Sequence, residues 1–342
     1  MTASLEKQAA FASHAEIRDR LSLDADLLNQ AHRRFPVAWP KYYLGLAQEP
    51  AIARMGRPEA AELAADQGDL ADAVADRAQR PIPFVVRKHT DRVIILAAKR
   101  CHFYCRFCFR RDESVRKAAE PGLADWERIY AFLADHPEIQ EPILSGGDPL
   151  TLSDRELIDI GSRLATIGSV RRWRIHTRAP VHYPQRIQED LWAQLSRVLP
   201  LTVVTHFNNV AEITAESVRI AKMMARYGID FQNQAVLLRG VNDDVPAQKA
   251  LWEKLYALGM GARYLHHPDR TPGNADFRVT LERGLAIYRG FCGLWNGPVP
   301  TYVLDLPDGR GKVPVEKLFR VGPGKYSFQH PNGEVSHYQD FA

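Results

Sequence analysis

From residue 92 onward the chain alternates short apolar runs with longer segments of helical period, and this alternation constrains its fold more than any other feature. The candidate strands are RVIILAA (92–98), EPILSG (141–146), RWRIHT (172–177), LTVVTHF (201–207), FQNQAVLL (231–238) and ARYLHH (262–267). Ser153 with Glu156 makes a capping box ahead of a helical run, and Gly228 and Gly259 stand where helices should stop. Six consecutive β/α units favour an all-parallel sheet or an incomplete barrel over an open doubly wound sheet, although spacing separates these poorly. In either architecture functional groups belong at the carboxyl ends of the strands. That rule collects Cys101, Cys105 and Cys108 after the first strand, Ser145-Gly146-Gly147-Asp148 at the end of the second, His206 at the end of the fourth, and His266, His267 and Asp269 after the sixth.

The first 85 residues read as helical and irregular, with FPVAWPKYY at 35–43 breaking the pattern and an Ala/Asp/Glu-rich stretch at 59–78, and nothing here carries obvious chemistry. Across 342 residues, 45% hydrophobic and 25% charged is ordinary globular usage and excludes disorder. A net charge of +4 does not describe a dedicated polyanion binder. No run of about 18 apolar residues occurs, so no membrane span is expected. The amino terminus has no signal-like apolar stretch, and a soluble cytoplasmic protein is the expectation.

The segment KRCHFYCRFCFRR places cysteines at i, i+4 and i+7. Three thiolates complete neither a structural zinc site nor a four-cysteine cluster, so an open coordination position is implied. Zinc completed by His89 or His102 is the alternative. Cys292, on a helical segment, reads as a small buried apolar residue. From Val86 to Arg116 there are nine Lys/Arg against three acids. Such an excess of positive charge suits RNA, cofactor phosphate and substrate carboxylates, or is simply a solvated face. Near the carboxy terminus the β-rich run TYVLDL is followed by a glycine-punctuated turn and Lys312, which by itself is a turn with an exposed lysine.

The cysteine spacing, with an aromatic before the last two, resembles the signature of the radical S-adenosylmethionine superfamily. Seven blocks in one order (FPVAWPKYYLGL, TDRVIIL, CHFYCRFCFRR, ILSGGDPLTLSD, THFNNVAEITAES, NQAVLLRGVND and YVLDLPDGRGKVPV) make the chain similar to the lysine 2,3-aminomutase family over roughly residues 30 to 340. The resemblance implies an incomplete (β/α)6 TIM-like barrel over 86–298, an amino-terminal helical region over 1–85 and a lysine-bearing segment over 299–342. It implies a 4Fe-4S cluster on Cys101, Cys105 and Cys108, with the fourth iron chelated by S-adenosylmethionine. Gly146, Gly147, Asp148, His206 and Gln234 are then cofactor contacts. Lys312 would carry pyridoxal 5'-phosphate, with Arg92 at its phosphate. Arg110 would pair with the substrate carboxylate, and Asp269 and Asp305 would receive a side-chain ammonium. In this family a deoxyadenosyl radical removes a β-hydrogen from the bound amino acid, and the amino group moves from C2 to C3.

The implied enzyme is an isomerase converting L-lysine to β-lysine, with a flavodoxin or ferredoxin as electron donor and a homo-oligomer as a possible assembly. The compact aminomutase that serves elongation factor P and an arginine 2,3-aminomutase are the nearest rivals, and an RNA-modifying radical enzyme is the rival of another class. Three departures from the family pattern stand out. Asp308 and Arg310 interrupt the glycine run before Lys312, with Arg310 a potential anion contact. Adjacent histidines precede Pro268-Asp269, and no cysteine-rich tail follows, so no zinc is expected.

Overall fold

A computed structural model describes residues 10–64, 68–111 and 120–340. The amino-terminal part contributes four helices, α1 (His14–Leu21), α2 (Ala25–Arg34), α3 (Lys41–Gly45) and α4 (Pro50–Gly56). The first two are capped as their sequences dictate, by a Ser13–Glu16 capping box and by the Asp24 carboxylate on the Leu27 N–H. After α4 the Ala/Asp/Glu-rich stretch has only one short 3-10 turn, Ala60–Leu63, among its described residues.

The remainder is built on a nine-stranded sheet: β1 (Val85–Val86), β2 (Arg92–Ala98), β3 (Glu141–Gly146), β4 (Trp173–His176), β5 (Leu201–Thr205), β6 (Asp230–Val236), β7 (Gly261–His266), β8 (Thr301–Asp305) and β9 (Lys312–Pro314). All six strands expected from the sequence are present, with ends moved by two residues at most. The run TYVLD pairs parallel to β7 as β8 and brings the parallel set to seven. Strand order in space equals order in sequence, from β1 to β9. A doubly wound sheet reverses its order at a switch point, whereas a singly wound, barrel-type sheet does not. The order therefore decides what spacing left open. The sheet is an unclosed barrel wall, ended by two short antiparallel edge strands, β1 on β2 and β9 on β8.

The crossovers carry α5 (Leu123–Asp135), α6 (Asp154–Ala165), the short α7 (Ala179–His182), α8 (Glu189–Leu195), α9 (Ala215–Arg226), α10 (Val245–Ala257) and α11 (Leu281–Leu294). Ser153 and Glu156 cap α6 reciprocally, as the sequence predicts. Gly228 and Gly259 follow α9 and α10 with left-handed φ of 63° and 74°. Each helix lays an apolar stripe on the sheet: Leu157, Ile160 and Leu164 of α6 pack in the same core as Trp173 and Ile175 of β4. A second, three-stranded antiparallel sheet, β10 (Phe319–Gly322), β11 (Lys325–Gln329) and β12 (Val335–Gln339), closes the chain. Among the described residues no helix is long and apolar enough to cross a membrane.

Candidate active site

The loop after β2 carries the three cysteines, all half-buried and free of disulfides. Phe103 anchors it by wedging edge-on between Trp39 and Tyr43, with ring centroids 4.7 and 4.8 Å away. The loop's own basic residues turn away from the sulfurs. Arg106 and Arg111 converge on the buried Glu62 carboxylate, Arg106 by both edges of its fork and Arg111 through Nη2 at 2.5 Å. The Phe35 ring lies under both guanidinium groups, 4.7 and 4.8 Å from its centroid. Arg110 donates to Asp76 at 2.9 and 3.2 Å, and Lys88 meets the other Asp76 oxygen at 2.8 Å. Burial would raise the Asp76 carboxyl, but Arg110 and Lys88 outweigh it and hold it at about 2.

These pairings correct two expectations. The stretch at 59–78 supplies Glu62 and Asp76, the acids that organise the cysteine loop, so the amino-terminal region does bear on the chemistry. The local excess of positive charge is also largely spent within the fold. Arg87, Lys88, Arg92, Arg100, Arg106, Arg110 and Arg111 each meet an acid, which is seven of the nine. Asp112, Glu113 and Arg116 lie outside the described residues. The segment that suited RNA, phosphate or carboxylates in sequence is largely paired with acids, Lys88, Arg106, Arg110 and Arg111 in buried pairs and Arg87, Arg92 and Arg100 in exposed ones.

Gly146 and Gly147 face the start of the cysteine loop. Gly146 takes φ 110°, and a Cβ there would sit 2.4 Å from the Ala98 carbonyl oxygen; at Gly147 it would sit 2.4 Å from that of Arg100. The pair therefore lets the end of β3 run against the backbone entering Cys101, with the Gly147 N–H donating to the Ala98 carbonyl at 2.6 Å. Asp148 is fully engaged: its carboxylate accepts from the Leu150 N–H, the Thr177 hydroxyl and the Arg178 N–H at 2.9, 2.7 and 3.1 Å. It fastens β3 to the end of β4.

Across the rim, β5, β6, β7 and β8 present a relay of polar groups. His206 Nε2 lies 2.7 Å from Gln234 Nε2, and Gln234 Oε1 lies 3.4 Å from His266 Nε2. His266 Nδ1 is 3.9 Å from Asp305, whose two oxygens face the Lys312 ammonium at 3.0 and 3.2 Å. Register explains the last contact, because antiparallel pairing of β8 with β9 sets Asp305 directly opposite Lys312. Burial, reinforced by the positive charge nearby, drops His206 and His266 to about 3, so both rings are neutral at physiological pH. Burial alone would lower Lys312 and raise Asp305; their mutual attraction wins, raising the lysine and lowering the acid.

Asp269 is held differently. Its own carbonyl accepts from the Thr271 N–H and the Asn274 amide, a turn that aims the carboxyl into a cleft of about 400 Å³ walled by Asp305, Leu304, Tyr326, His337 and Tyr338. Burial and then the Asp305 charge push the Asp269 carboxyl up to about 8. Arg92, the first residue of β2, pairs with Asp91 at 3.0 Å, and burial, helped by its charge and that of Lys312, lowers His89. The Asp308 and Arg310 side chains, which interrupt the glycine run, tie their loop to the second sheet: Arg310 pairs with Glu334 and Asp308 accepts from the Ser336 hydroxyl.

The donor set suits a cationic centre. Burial raises the thiol pKa of all three cysteines, Cys108 to about 11, so they become thiolates only when a cationic centre supplies the charge. The thiols feel one another, yet among the described residues no three His, Cys, Asp or Glu side chains converge as ligands of a single metal ion would. His102, the alternative zinc ligand, packs instead among Phe11, His182 and Tyr183. Sequence reasoning missed Glu62, Asp76 and Lys88, and also Arg178 with its partner Glu212. Arg178 follows β4 and was legible from the rim rule; Glu62 and Glu212 lie in short 3-10 turns and Asp76 and Lys88 in irregular chain, none with a periodic signal.

A singly wound parallel sheet thus brings three thiols, a Gly-Gly turn and a histidine–glutamine pair to one carboxyl rim. L-lysine 2,3-aminomutase of Clostridium subterminale is 34% identical over 291 residues, 84% of this chain and 70% of that protein, and the Fusobacterium nucleatum enzyme is 32% identical over 292 residues, 84% and 69%. The chain belongs to the lysine 2,3-aminomutase family and is an aminomutase, an isomerase. Glutamate 2,3-aminomutase of Clostridioides difficile is also related, 30% identical over 306 residues, 88% of this chain and 72% of that one. No family model matches the sequence. A solved structure of native anSMEcpe with bound AdoMet overlays with a TM-score of 0.47 and 12% identity on 61% of this chain and 63% of that one, too loosely to define the fold.

Proposed function

We propose that the chain moves the α-amino group of L-lysine from C2 to C3, using a 4Fe-4S cluster, S-adenosylmethionine and pyridoxal 5'-phosphate. Cys101, Cys105 and Cys108 hold the cluster, and Gly146, Gly147, His206 and Gln234 face the adenosyl cofactor. Lys312 carries the pyridoxal group, and Arg92 serves its phosphate. When bound, these groups would supply hydrogen-atom abstraction and a conjugated ring over which an unpaired electron can spread while the nitrogen migrates. The protein's share is placement and exclusion of water.

The observation that carries the substrate assignment is the imbalance at the cleft, where Asp269 and Asp305 share one ammonium, that of Lys312. Asp269 stays protonated near neutral pH because burial and the Asp305 charge outweigh the attraction of Lys312 and Lys88. A substrate ammonium at that place lets Asp269 ionise and makes a desolvated charge pair, which a glutamate side chain cannot do. Arg110 keeps Nη1 only loosely engaged, 3.4 Å from the Ser145 hydroxyl, and so has an N–H to offer a substrate carboxylate.

The test is anaerobic reconstitution with iron, sulfide, S-adenosylmethionine, pyridoxal phosphate and dithionite, followed by chromatography of products from lysine, arginine, ornithine and glutamate. β-Lysine as the principal product is expected, and turnover of glutamate without lysine overturns the reading. Borohydride should fix the pyridoxal group on Lys312; reconstituted protein that yields no such adduct overturns the role of that lysine.

A further inference from the structure

Arg178 is buried at the carboxyl rim with each of its three guanidinium nitrogens engaged. Nε donates to the His206 carbonyl at 3.0 Å, and Nη2 reaches Glu212 at 2.6 Å and the Tyr43 hydroxyl at 3.1 Å. The remaining arm, Nη1, donates to the Cys105 sulfur at 2.9 Å. The guanidinium is packed among the Tyr43, Phe103 and Phe107 rings, 5.7, 5.5 and 5.5 Å from their centroids, so water does not screen it. Glu212 is equally fixed: it also accepts from the Tyr43 hydroxyl at 2.5 Å and from the Asn208 and Asn209 N–H groups at 2.6 and 3.0 Å.

A cation that donates to a cluster-bound thiolate withdraws electron density from the sulfur and favours the reduced state of the metal, whereas a nearby carboxylate opposes it. We propose that Arg178 and Glu212 are a positioning pair that sets the reduction potential of the cluster through Cys105, Arg178 raising it and Glu212 limiting the rise. Arg178 does not touch substrate. It acts on the ligand, and through the His206 carbonyl it also fixes the cysteine loop against the end of β5, next to a side chain proposed to face the adenosyl cofactor. The pair thus couples the ease of a one-electron reduction by an external donor to the rigidity of the rim.

This inference rests on reading the three cysteines as cluster ligands. It is tested on reconstituted full-length chain by titration with dithionite and redox mediators, following the one-electron reduced cluster by electron paramagnetic resonance and counting iron per chain. The wild type, Arg178→Met, Arg178→Lys and Glu212→Gln are compared. Loss of the donor shifts the midpoint negative in Arg178→Met and by a smaller amount in Arg178→Lys, which keeps the charge but lacks the fork that spans Cys105 and Glu212. Glu212→Gln shifts it positive. Opposite signs are the signature, because a merely structural role lowers iron content in both variants without separating their potentials. If Arg178→Met fails to load iron, the Lys and Gln variants still carry the sign test. Midpoints that coincide with wild type, or move together, overturn the proposal while leaving the cluster intact; wild-type protein that binds no iron overturns the ligand reading and the proposal together.

Discussion

The cysteine loop and the Lys312 cleft treat charge in opposite ways. Around the cysteines every described guanidinium is matched from outside the loop, by Glu62, Asp76, Glu120 or Glu212. At the cleft two acids face a single lysine, and one of them is kept protonated. A matched buried pair adds little net stability, yet breaking one is costly, so such pairs act as fixings. An unmatched acid is a reserved place for a ligand charge. The first region is therefore finished before cofactors arrive, and the second is completed by what binds.

The sharpest way to break this contrast is to remove a ligand from the finished region. Cys105→Ala should leave the fold intact and abolish iron–sulfur absorbance and cleavage of S-adenosylmethionine altogether, measured after identical reconstitution. Retention of a full cluster would show that another residue ligates. At the cleft, Asp269→Asn and Asp305→Asn should each lower kcat/KM for lysine by about 30- to 5000-fold, the range for truncating one partner of a buried charge pair at about 2–5 kcal/mol. Iron content should stay at wild-type levels. Loss of lysine turnover together with loss of iron would erase the distinction between the two regions.

The same contrast explains what the sequence disclosed. Strands β2 to β7 were legible because short apolar runs separated by segments of helical period are local signals, and the rim rule then grouped the cysteines with His206 and Asp269. Glu62 and Asp76 were not legible. Each sits in an irregular, Ala/Asp/Glu-rich stretch and meets an arginine 34 to 49 positions away, a pairing that no local pattern encodes. The role of the basic segment was left open for the same reason, since the acids that pair with it lie elsewhere in the chain. Glycines 146 and 147, expected from the resemblance as cofactor contacts, each lie against the protein's own backbone at 98–100, an approach that no local pattern encodes.

Two intermediate effects sharpen the contrast. Glu62→Ala leaves Arg106 and Arg111 buried without their carboxylate and should destabilise the fold by about 3–5 kcal/mol, read from urea unfolding of the metal-free chain. A change below about 1 kcal/mol would mean that the loop is held by Phe103 and its aromatic neighbours instead. At the cleft the readout is a proton. The Asp269 carboxyl is raised from its ordinary value to about 8, so between those limits the folded chain holds a proton that the unfolded chain has released. Stability contributed by this group is therefore lost as pH rises toward 8. Binding of a substrate ammonium near neutral pH should expel that proton, giving a calorimetric heat that depends on the ionisation enthalpy of the buffer, and Asp269→Asn should remove the dependence.

The smallest effect is expected where a charge pair is neither buried nor reserved. Arg310 and Glu334 join the loop before Lys312 to the second sheet, with side chains 38% and 53% exposed. Solvent screens such a pair, and exposed bridges contribute on the order of 0–1 kcal/mol. Glu334→Gln should accordingly shift the unfolding midpoint little, and any change in KM for lysine should disappear when wild type and variant are compared at high salt, which screens both alike. The loop also has the Asp308 contact to Ser336, within the same hairpin, so loss of Arg310's partner alone does not free it. A drop in kcat that persists at high salt would place this exposed pair with the reserved charges of the cleft, and would mean that the interrupted glycine run positions Lys312 directly.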